Sequence, residues 1–284
     1  MEPWLSEGSA ELYATNPIHF PDLVYDVVMQ HLREKRKSTS DNKFDVLLDA
    51  GCGNGEALRK FLPYFQSAIG FDISEEQITL AKTMTDLAKT KYFVARENSI
   101  PAENNSVDLL ISIGAAHYMD IDSFVAECKR VLKDDGLVAL SSASVSGVDV
   151  LLPPSNGESS QSVSGNHILE EYFLRPLHQY HSKVNHPYLK CCDNYLGFYN
   201  EITGLKKYQA SDIDLEHNVS LAEMKQYFVS MPTYKVFNDL FDADVAPLKV
   251  MGDKLKEYVN ETGISDIDLR LKFKIKVFYI FMCK

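Results

Sequence analysis

The stretch DVLLDAGCGNGEALRKF, residues 45–61, runs from apolar residues into glycines at 51, 53 and 55 and out into a helix-like pattern. VLLDAG is a short apolar run ending in glycine, which reads as a buried strand. GEALRKFLPYF, residues 55–65, reads as a helix that Pro63 limits or kinks. A dinucleotide-binding turn would need glycine at 51, 53 and 56. Position 56 is glutamate, so the third glycine falls one residue early. A P-loop would close on Gly-Lys-Ser/Thr, and that sequence is missing. Asp49 and Glu56 put carboxylates where a pyrophosphate would sit. They repel phosphate and favour a ligand with positive groups.

Working outward, strand and helix alternate. SAIGFDIS (67–74) reads as a second strand and SEEQITLAKTMTDLAKT (74–90) as a helix. Ser74 and Gln77 have the spacing of a capping box. YFVAREN (92–98) and VDLLISIG (107–114) read as strands three and four. DIDSFVAECKRVLKDDG (120–136) is a helix whose Phe124, Cys128, Val131 and Leu132 share a face, with Gly136 as its stop. LVALSSA (137–143) is a fifth strand. Upstream, PDLVYDVVMQHLREKRK (21–37) gives a helix with Leu23, Val24, Val27, Val28 and Leu32 on one face. Five alternations call for a mostly parallel α/β sheet with helices on both faces. A ligand then lies beyond the carboxyl ends of the strands, near the switch point. Asp72 ends the second strand and can accept both hydroxyls of a ribose. S-adenosylmethionine meets both requirements: it has a ribose, an ammonium and a sulfonium, and no phosphate.

After Ser144 the rhythm breaks. SVSGVDVLLPPSNGESSQSVSGN (144–166) is rich in Ser, Gly and Pro and reads as a long loop. LAEMKQYFVSMPTYKVFNDLF (221–241) and VMGDKLKEYVNETG (250–263) read as helices. DLRLKFKIKVFYIFMCK (268–284) alternates and then turns solidly apolar, which is a strand that should dock into the sheet. The expectation is one domain over residues 1–284: a ligand-binding core at 44–142, a substrate-side cap at 145–268 and a terminal strand at 269–284.

Composition narrows the partners. The 284 residues carry a formal net charge of −11, a poor match for nucleic acid or anionic lipid. Arg270, Lys272, Lys274 and Lys276 alternate with apolar residues and read as the solvated face of a strand. The cysteines are 52, 128, 191, 192 and 283, an odd count with no disulfide or zinc spacing. A reducing cytoplasm is the expectation. The N-terminus has no signal-peptide pattern, and no apolar run has membrane-spanning length. No obligate protein partner is evident.

The chain resembles the S-adenosylmethionine-dependent class I methyltransferases, of the type 11 sort. The matching pieces are LLDAGCGNGEALRKF, GFDISEEQITLAK, the Ile100-Pro101 step, SVDLLISIGAAHYMD and FVAECKRVLKDDGLVAL. They cover residues 44–142 in order. YATNPIHFPDLV (13–24) resembles an N-terminal element of the trans-aconitate methyltransferase-like group, with Pro17-Ile18 where that group has Arg-Pro. The resemblance implies that Asp49, Gly51 and Gly53 contact the methionine part of the cofactor. It implies Asp72 at the ribose, Ile73 against the adenine, and Glu97 with Asn98 near the adenine amine. Ile113 and Gly114 would line the methyl side, and Tyr13 would close the cofactor in.

Such a transfer is an in-line displacement that depends on alignment and desolvation. It needs a base only when the acceptor carries a proton. His117, in GAAHYMD after the fourth strand, is the candidate for a substrate contact, a packing role or a base. Tyr118 fits a pocket wall. Arg175 is a candidate partner for an acidic substrate. His167, His178, His181 and His186 match no standard zinc spacing, so no metal is expected. A small organic acceptor with a carboxylate or hydroxyl is the first expectation. A cofactor-binding protein without turnover, and a protein or lipid methyltransferase, are the alternatives. Amino-methylation of DNA is disfavoured, because residues 115–118 lack the Asn/Asp-Pro-Pro-Tyr/Phe sequence.

Overall fold

A computed structural model describes residues 16, 18–36, 43–152, 161–184, 187, 190, 195–231, 234, 237, 240–241 and 245–284. They fall into two compact units. One comprises 20–143, 190–213 and 277–284; the other draws on 1–19, 144–189 and 214–276.

The first unit holds the glycine turn. Helix α1 (Asp22–Arg36) precedes β1 (Phe44–Ala50), α2 (Glu56–Phe61), β2 (Phe65–Asp72), α3 (Glu75–Met84), β3 (Thr90–Val94), β4 (Val107–Ile113) and α4 (Ile121–Val131). Strand β5 (Leu132–Leu151) follows and runs on into the second unit. Helix α7 (Leu196–Glu201), strand β7 (Lys206–Gln209) and the end of β9 (Arg270–Cys283) complete the first unit. The strand order is β3-β2-β1-β4-β5-β9-β7. Strands β1 to β5 pair with one another in parallel, and β7 is antiparallel to β9. The chain steps outward from β1 to β3, then returns to lay β4 on the other side of β1. That reversal sets the loops after β1 and β4 side by side at the carboxyl ends, where a parallel sheet opens its crevice.

The local reasons are readable. Leu47, Leu48 and Ala50 are buried, so the apolar run of β1 is the centre of the sheet. Pro63 sits in a 3₁₀ turn at Leu62–Tyr64, which stops α2 at Phe61. Asp120 caps α4 through Ser123 N–H at 2.9 Å. At the opposite, amino end of β4, the buried Asp108 accepts the N–H of Asp45 at 3.0 Å and of Val46 at 2.8 Å. Arg36 and Lys133 supply it with charge.

Several expectations are corrected. Helix α1 buries Val24, Tyr25, Val28, Met29 and Leu32, while Leu23 faces solvent. Tyr25 packs edge-on against Phe61 at 5.6 Å, and this rotates the buried face. Helix α4 stops at Val131, not at Gly136, because Leu132 already belongs to β5. Gly136 lies where the β4–β5 register shifts, and a side chain there would meet Leu132 and the Val107 carbonyl.

In the second unit, the expected loop at 144–166 is partly strand. β5 continues to Leu151 and pairs antiparallel with β6 (Ser162–Ser164). Helices α5 (Asn166–Leu169) and α6 (Arg175–Lys183) flank a π turn at Glu170–Leu174. β8 (Ile213–Ser220) pairs with β9, and α8 (Leu221–Ser230) and α9 (Pro247–Tyr258) follow it in the chain. Phe173, Phe228, Tyr234 and Phe273 are buried at its core, with Phe173 4.2 Å from Phe228. The basic face of β9 pairs with acids as a ladder: Lys272 with Glu216, Lys274 with Asp149, and Lys276 with Asp214. No described helix is long and apolar enough to cross a membrane.

Candidate active site

The turn after β1 is built from left-handed backbone. Gly51, Gly53 and Gly55 have φ of 70°, 51° and 77°, a region that side-chain-bearing residues avoid. The three differ in surroundings. A Cβ at Gly51 would collide with Ala115, and one at Gly55 with the Tyr92 hydroxyl. At Gly53 the nearest atom would be Gln77 Oε1, 3.7 Å away. So the outer two glycines serve packing, and the middle one faces room. The turn is fastened on all sides. Gly51 and Cys52 N–H donate to the Phe71 carbonyl at 2.9 and 3.0 Å. Arg59 Nη1 donates to the Asn54 carbonyl at 2.6 Å, and Tyr92 Oη meets Thr85 Oγ1 at 2.9 Å.

Two carboxylates stand over this turn. Asp72 accepts Gly53 N–H and Ser74 N–H, each at 2.9 Å. Burial pushes its carboxyl above the ordinary value, and those N–H groups pull it back in part. Asp49 is fully buried, and its Oδ2 has no hydrogen-bond partner among the described residues. Burial first, and the neighbouring Asp72 charge second, raise Asp49 to about 8; the Leu58 amide opposes them. A buried acceptor of this kind is costly to leave unmade. An ammonium brought to Asp49 would satisfy the oxygen and offset the charge. Cys52 is buried in the turn, and burial pushes its thiol well above the ordinary range, so it is a filler and not a nucleophile.

The other lip follows β4. Ser112 Oγ donates to the Ala50 carbonyl at 2.8 Å, tying the ends of β1 and β4. Gly114 has φ 74°, and a Cβ there would meet no described atom within 4 Å. Its N–H donates to the Ser141 carbonyl at 2.8 Å. The short 3₁₀ turn at Ala116–Tyr118 then brings in His117, which is buried. Its Nδ1 lies 2.7 Å from Tyr195 Oη, and its ring is 4.0 Å from that of Tyr118. Tyr195 is fully buried and left-handed at φ 65°, a strained conformation for a tyrosine.

The sequence-derived candidates therefore divide. Asp49, Gly51, Gly53 and Asp72 come together at the turn, with Ile73 next to Asp72 and half-buried. Ile113 and Gly114 end the neighbouring strand. Glu97 accepts the N–H of Asp120 at 3.3 Å, which ties the loop after β3 to the start of α4; Asn98 beside it is exposed. Arg175 belongs to the second unit, is 59% exposed and reaches Glu170 at only 4.0 Å. Tyr13 lies outside the described residues. Tyr195 lies in the His- and Tyr-dense stretch 166–199, but sequence reasoning missed its pairing with His117, 78 residues away. It also missed Tyr92, which a turn-facing position on β3 offered as a hint.

A family model described as a methyltransferase domain, of the type 11 group, matches residues 48–140. The chain is 27% identical over 251 residues to a protein of Dictyostelium discoideum named provisionally as a methyltransferase, covering 87% of this chain and 84% of that one. It is 28% identical over 126 residues to CRG1 of Saccharomyces cerevisiae, which is named provisionally as an S-adenosylmethionine-dependent methyltransferase; the match spans 42% of this chain and 40% of that one. In fold it is similar to a solved structure from Anaeromyxobacter dehalogenans described as a type II methyltransferase, with a TM-score of 0.61 at 18% identity over 92% of this chain and 96% of that one. The parallel sheet and glycine turn at residues 48–140 thus form a class I S-adenosylmethionine-dependent methyltransferase domain.

Proposed function

We propose that this enzyme methylates a small organic molecule at a carboxylate or hydroxyl oxygen. The observation that carries the cofactor side of the reading is the buried Asp49 oxygen on the strand leading into the glycine turn, which has no hydrogen-bond partner among the described residues. A ligand with an ammonium and no phosphate satisfies that oxygen, and a dinucleotide does not. When bound, S-adenosylmethionine supplies a methyl group already activated by its sulfonium.

The chain's own residues do the rest. Asp49 holds the ammonium, and the Gly51 and Gly53 backbone lies along the methionine part. Asp72, fixed by two backbone N–H groups, presents its remaining acceptor capacity to the ribose hydroxyls. Ile73 lies against the adenine, with Glu97 and Asn98 near its amine; Tyr13 is kept as a candidate cofactor contact outside the described residues. Ile113 and Gly114 line the side from which the acceptor approaches. His117, pinned by Tyr195, forms a rigid wall there with Tyr118. Its burial favours positioning over proton shuttling, which suits an acceptor that arrives as a carboxylate and has no proton to lose. Arg175 is kept as a candidate partner for such an acid. An acidic chain whose described cysteines are free fits a reducing cytoplasm.

Calorimetric titration with S-adenosylmethionine and S-adenosylhomocysteine tests the cofactor site. Incubation with methyl-labelled cofactor and separated metabolite, protein and lipid fractions tests the acceptor. Label in the metabolite fraction is expected. Label confined to protein or lipid would overturn the acceptor class, and binding without label anywhere would mean a cofactor-binding protein without turnover.

A further inference from the structure

The chain carries a formal net charge of −11, yet one cavity of the first unit gathers positive charge. It lies between α2 and the loop from α3 to β3, and its volume is about 320 Å³. Lys43, Arg59 and Lys89 line it. Lys43, Pro63 and Lys89 stand just ahead of β1, β2 and β3, so the cavity opens near the amino ends of these strands. The cofactor crevice is at their carboxyl ends. Lys60 on α2 and Lys133 on β5 each hold a carboxylate, of Asp22 and of Asp45. Lys43, Arg59 and Lys89 hold none among the described residues. The acid in the lining, Asp86, accepts the N–H of Ala88 at 2.9 Å. Three cations against one carboxylate leave a local excess of two positive charges. Arg59 is held in place by one of its five N–H groups, the one that Nη1 donates to the Asn54 carbonyl at 2.6 Å. The rest of the lining is apolar at Leu62, Pro63 and Met84, and Met84 is 49% exposed.

We propose that this cavity is a second binding site, one that takes a small organic phosphate monoester. A phosphate dianion matches the fork of a fixed guanidinium, and the two lysines add point charges. A carboxylate brings one charge and two oxygens to three cations, so it leaves more of them unmatched. The volume stands at the lower end of the range that holds small organic ligands, about 300–1,000 Å³. A carbon body attached to the phosphate covers Leu62, Pro63 and Met84, which otherwise meet water. The glycine turn is the wrong place for the same ligand, because Asp49 and Asp72 repel it there.

The test is calorimetry on the full chain with phenyl phosphate, inorganic phosphate and phenol as probes. Phenyl phosphate is expected to bind more tightly than inorganic phosphate, and phenol not at all. Silence from phenyl phosphate would overturn the site, and equal affinity for the two phosphates would overturn the organic ligand. The double variant Lys43→Gln/Lys89→Gln should bind phenyl phosphate about ten-fold more weakly. Lys82→Gln, at an exposed lysine of α3 outside the lining, should bind it as wild type does. An equal loss in Lys82→Gln would mean attraction by bulk charge and no site. Lys43 and Lys89 are both exposed, so the double variant should melt as wild type does. Met84→Ser gives an independent reading: it should weaken phenyl phosphate and leave inorganic phosphate unchanged, and the opposite pattern would contradict the apolar wall. Saturating S-adenosylhomocysteine should leave phenyl phosphate bound; displacement would put the probe in the cofactor crevice and overturn the second site. Vesicles of phosphatidylcholine doped with phosphatidic acid should not sediment the chain. Sedimentation that the double variant abolishes would make a lipid headgroup the source of the phosphate and overturn the soluble ligand.

Discussion

At Asp49 one carboxylate links stability to ligand binding. Its folded pKa, about 8, lies above the ordinary 3.8. The folded, ligand-free protein therefore holds a proton on Asp49 that the unfolded chain releases. Stability from this group is intact below about pH 4 and is lost as pH rises through about 8. Asp49→Asn should remove that slope: the variant should match wild type near pH 4 and exceed it at pH 8 in urea unfolding without ligand. The same substitution should weaken S-adenosylhomocysteine binding about ten- to a hundred-fold, the worth of a charge-assisted hydrogen bond. A variant both less stable at pH 8 and undiminished in binding would contradict the reading. The glycines separate in the same way. Gly55→Ala meets the Tyr92 hydroxyl as well as the left-handed backbone, so it should lower the melting temperature. Gly53→Ala meets open room, so its stability cost should stay near 1 kcal/mol while its methyl group obstructs the ligand and affinity collapses. Melting curves and titrations of the two variants, run together, check the contrast.

At the level of strands and helices, the strongest single tie is remote from the chemistry. Asp108 on β4 takes two backbone N–H groups of β1, Arg36 of α1 and Lys133 of β5. Removing a fully buried carboxylate from such a cluster leaves uncompensated donors and charges, so Asp108→Ala should cost about 3–5 kcal/mol in urea unfolding. Asp45→Ala breaks an ion pair to the same lysine, but Asp45 is 63% exposed and the loss should stay below about 1 kcal/mol. A cost for Asp45→Ala as large as for Asp108→Ala would mean the cluster is not what binds these elements. None of this was legible in VDLLISIG, where Asp108 reads as an ordinary polar residue on an apolar strand. The strands themselves were legible, because each has an apolar run bounded by turn residues. Strands β7 and β8 were not. KKYQ is mostly exposed at the sheet edge, so no buried face imposes alternation on its sequence. The Ser- and Gly-rich continuation of β5 was hidden for a related reason. Its pairing with β6 is supplied by backbone hydrogen bonds, which composition does not report.

Across the whole molecule, the last strand matters out of proportion to its place in the chain. In strand order β9 stands between β5 and β7, so the final residues of the chain are interior to the sheet. Val277, Phe278, Tyr279, Ile280, Phe281 and Met282 are each at most 1% exposed. Tyr279 also donates its hydroxyl to the Val24 carbonyl of α1 at 3.0 Å. This much the sequence announced, since a run so apolar has no stable place at a surface. Its insertion between β5 and β7 was not announced, because order within a sheet is set by partners distant in sequence. Burying such side chains contributes about 1.5–3 kcal/mol each. Together they rival the ~5–15 kcal/mol that keeps a whole domain folded. A chain ending at Lys276 should therefore show no cooperative unfolding transition by circular dichroism. Ile267→Ser, at a residue 70% exposed just before the strand, should leave the transition within about 0.5 kcal/mol of wild type. If the shortened chain melted cooperatively near the wild-type temperature, the core of the first unit would have to close without β9, and the final strand would be an attachment to a sheet already complete.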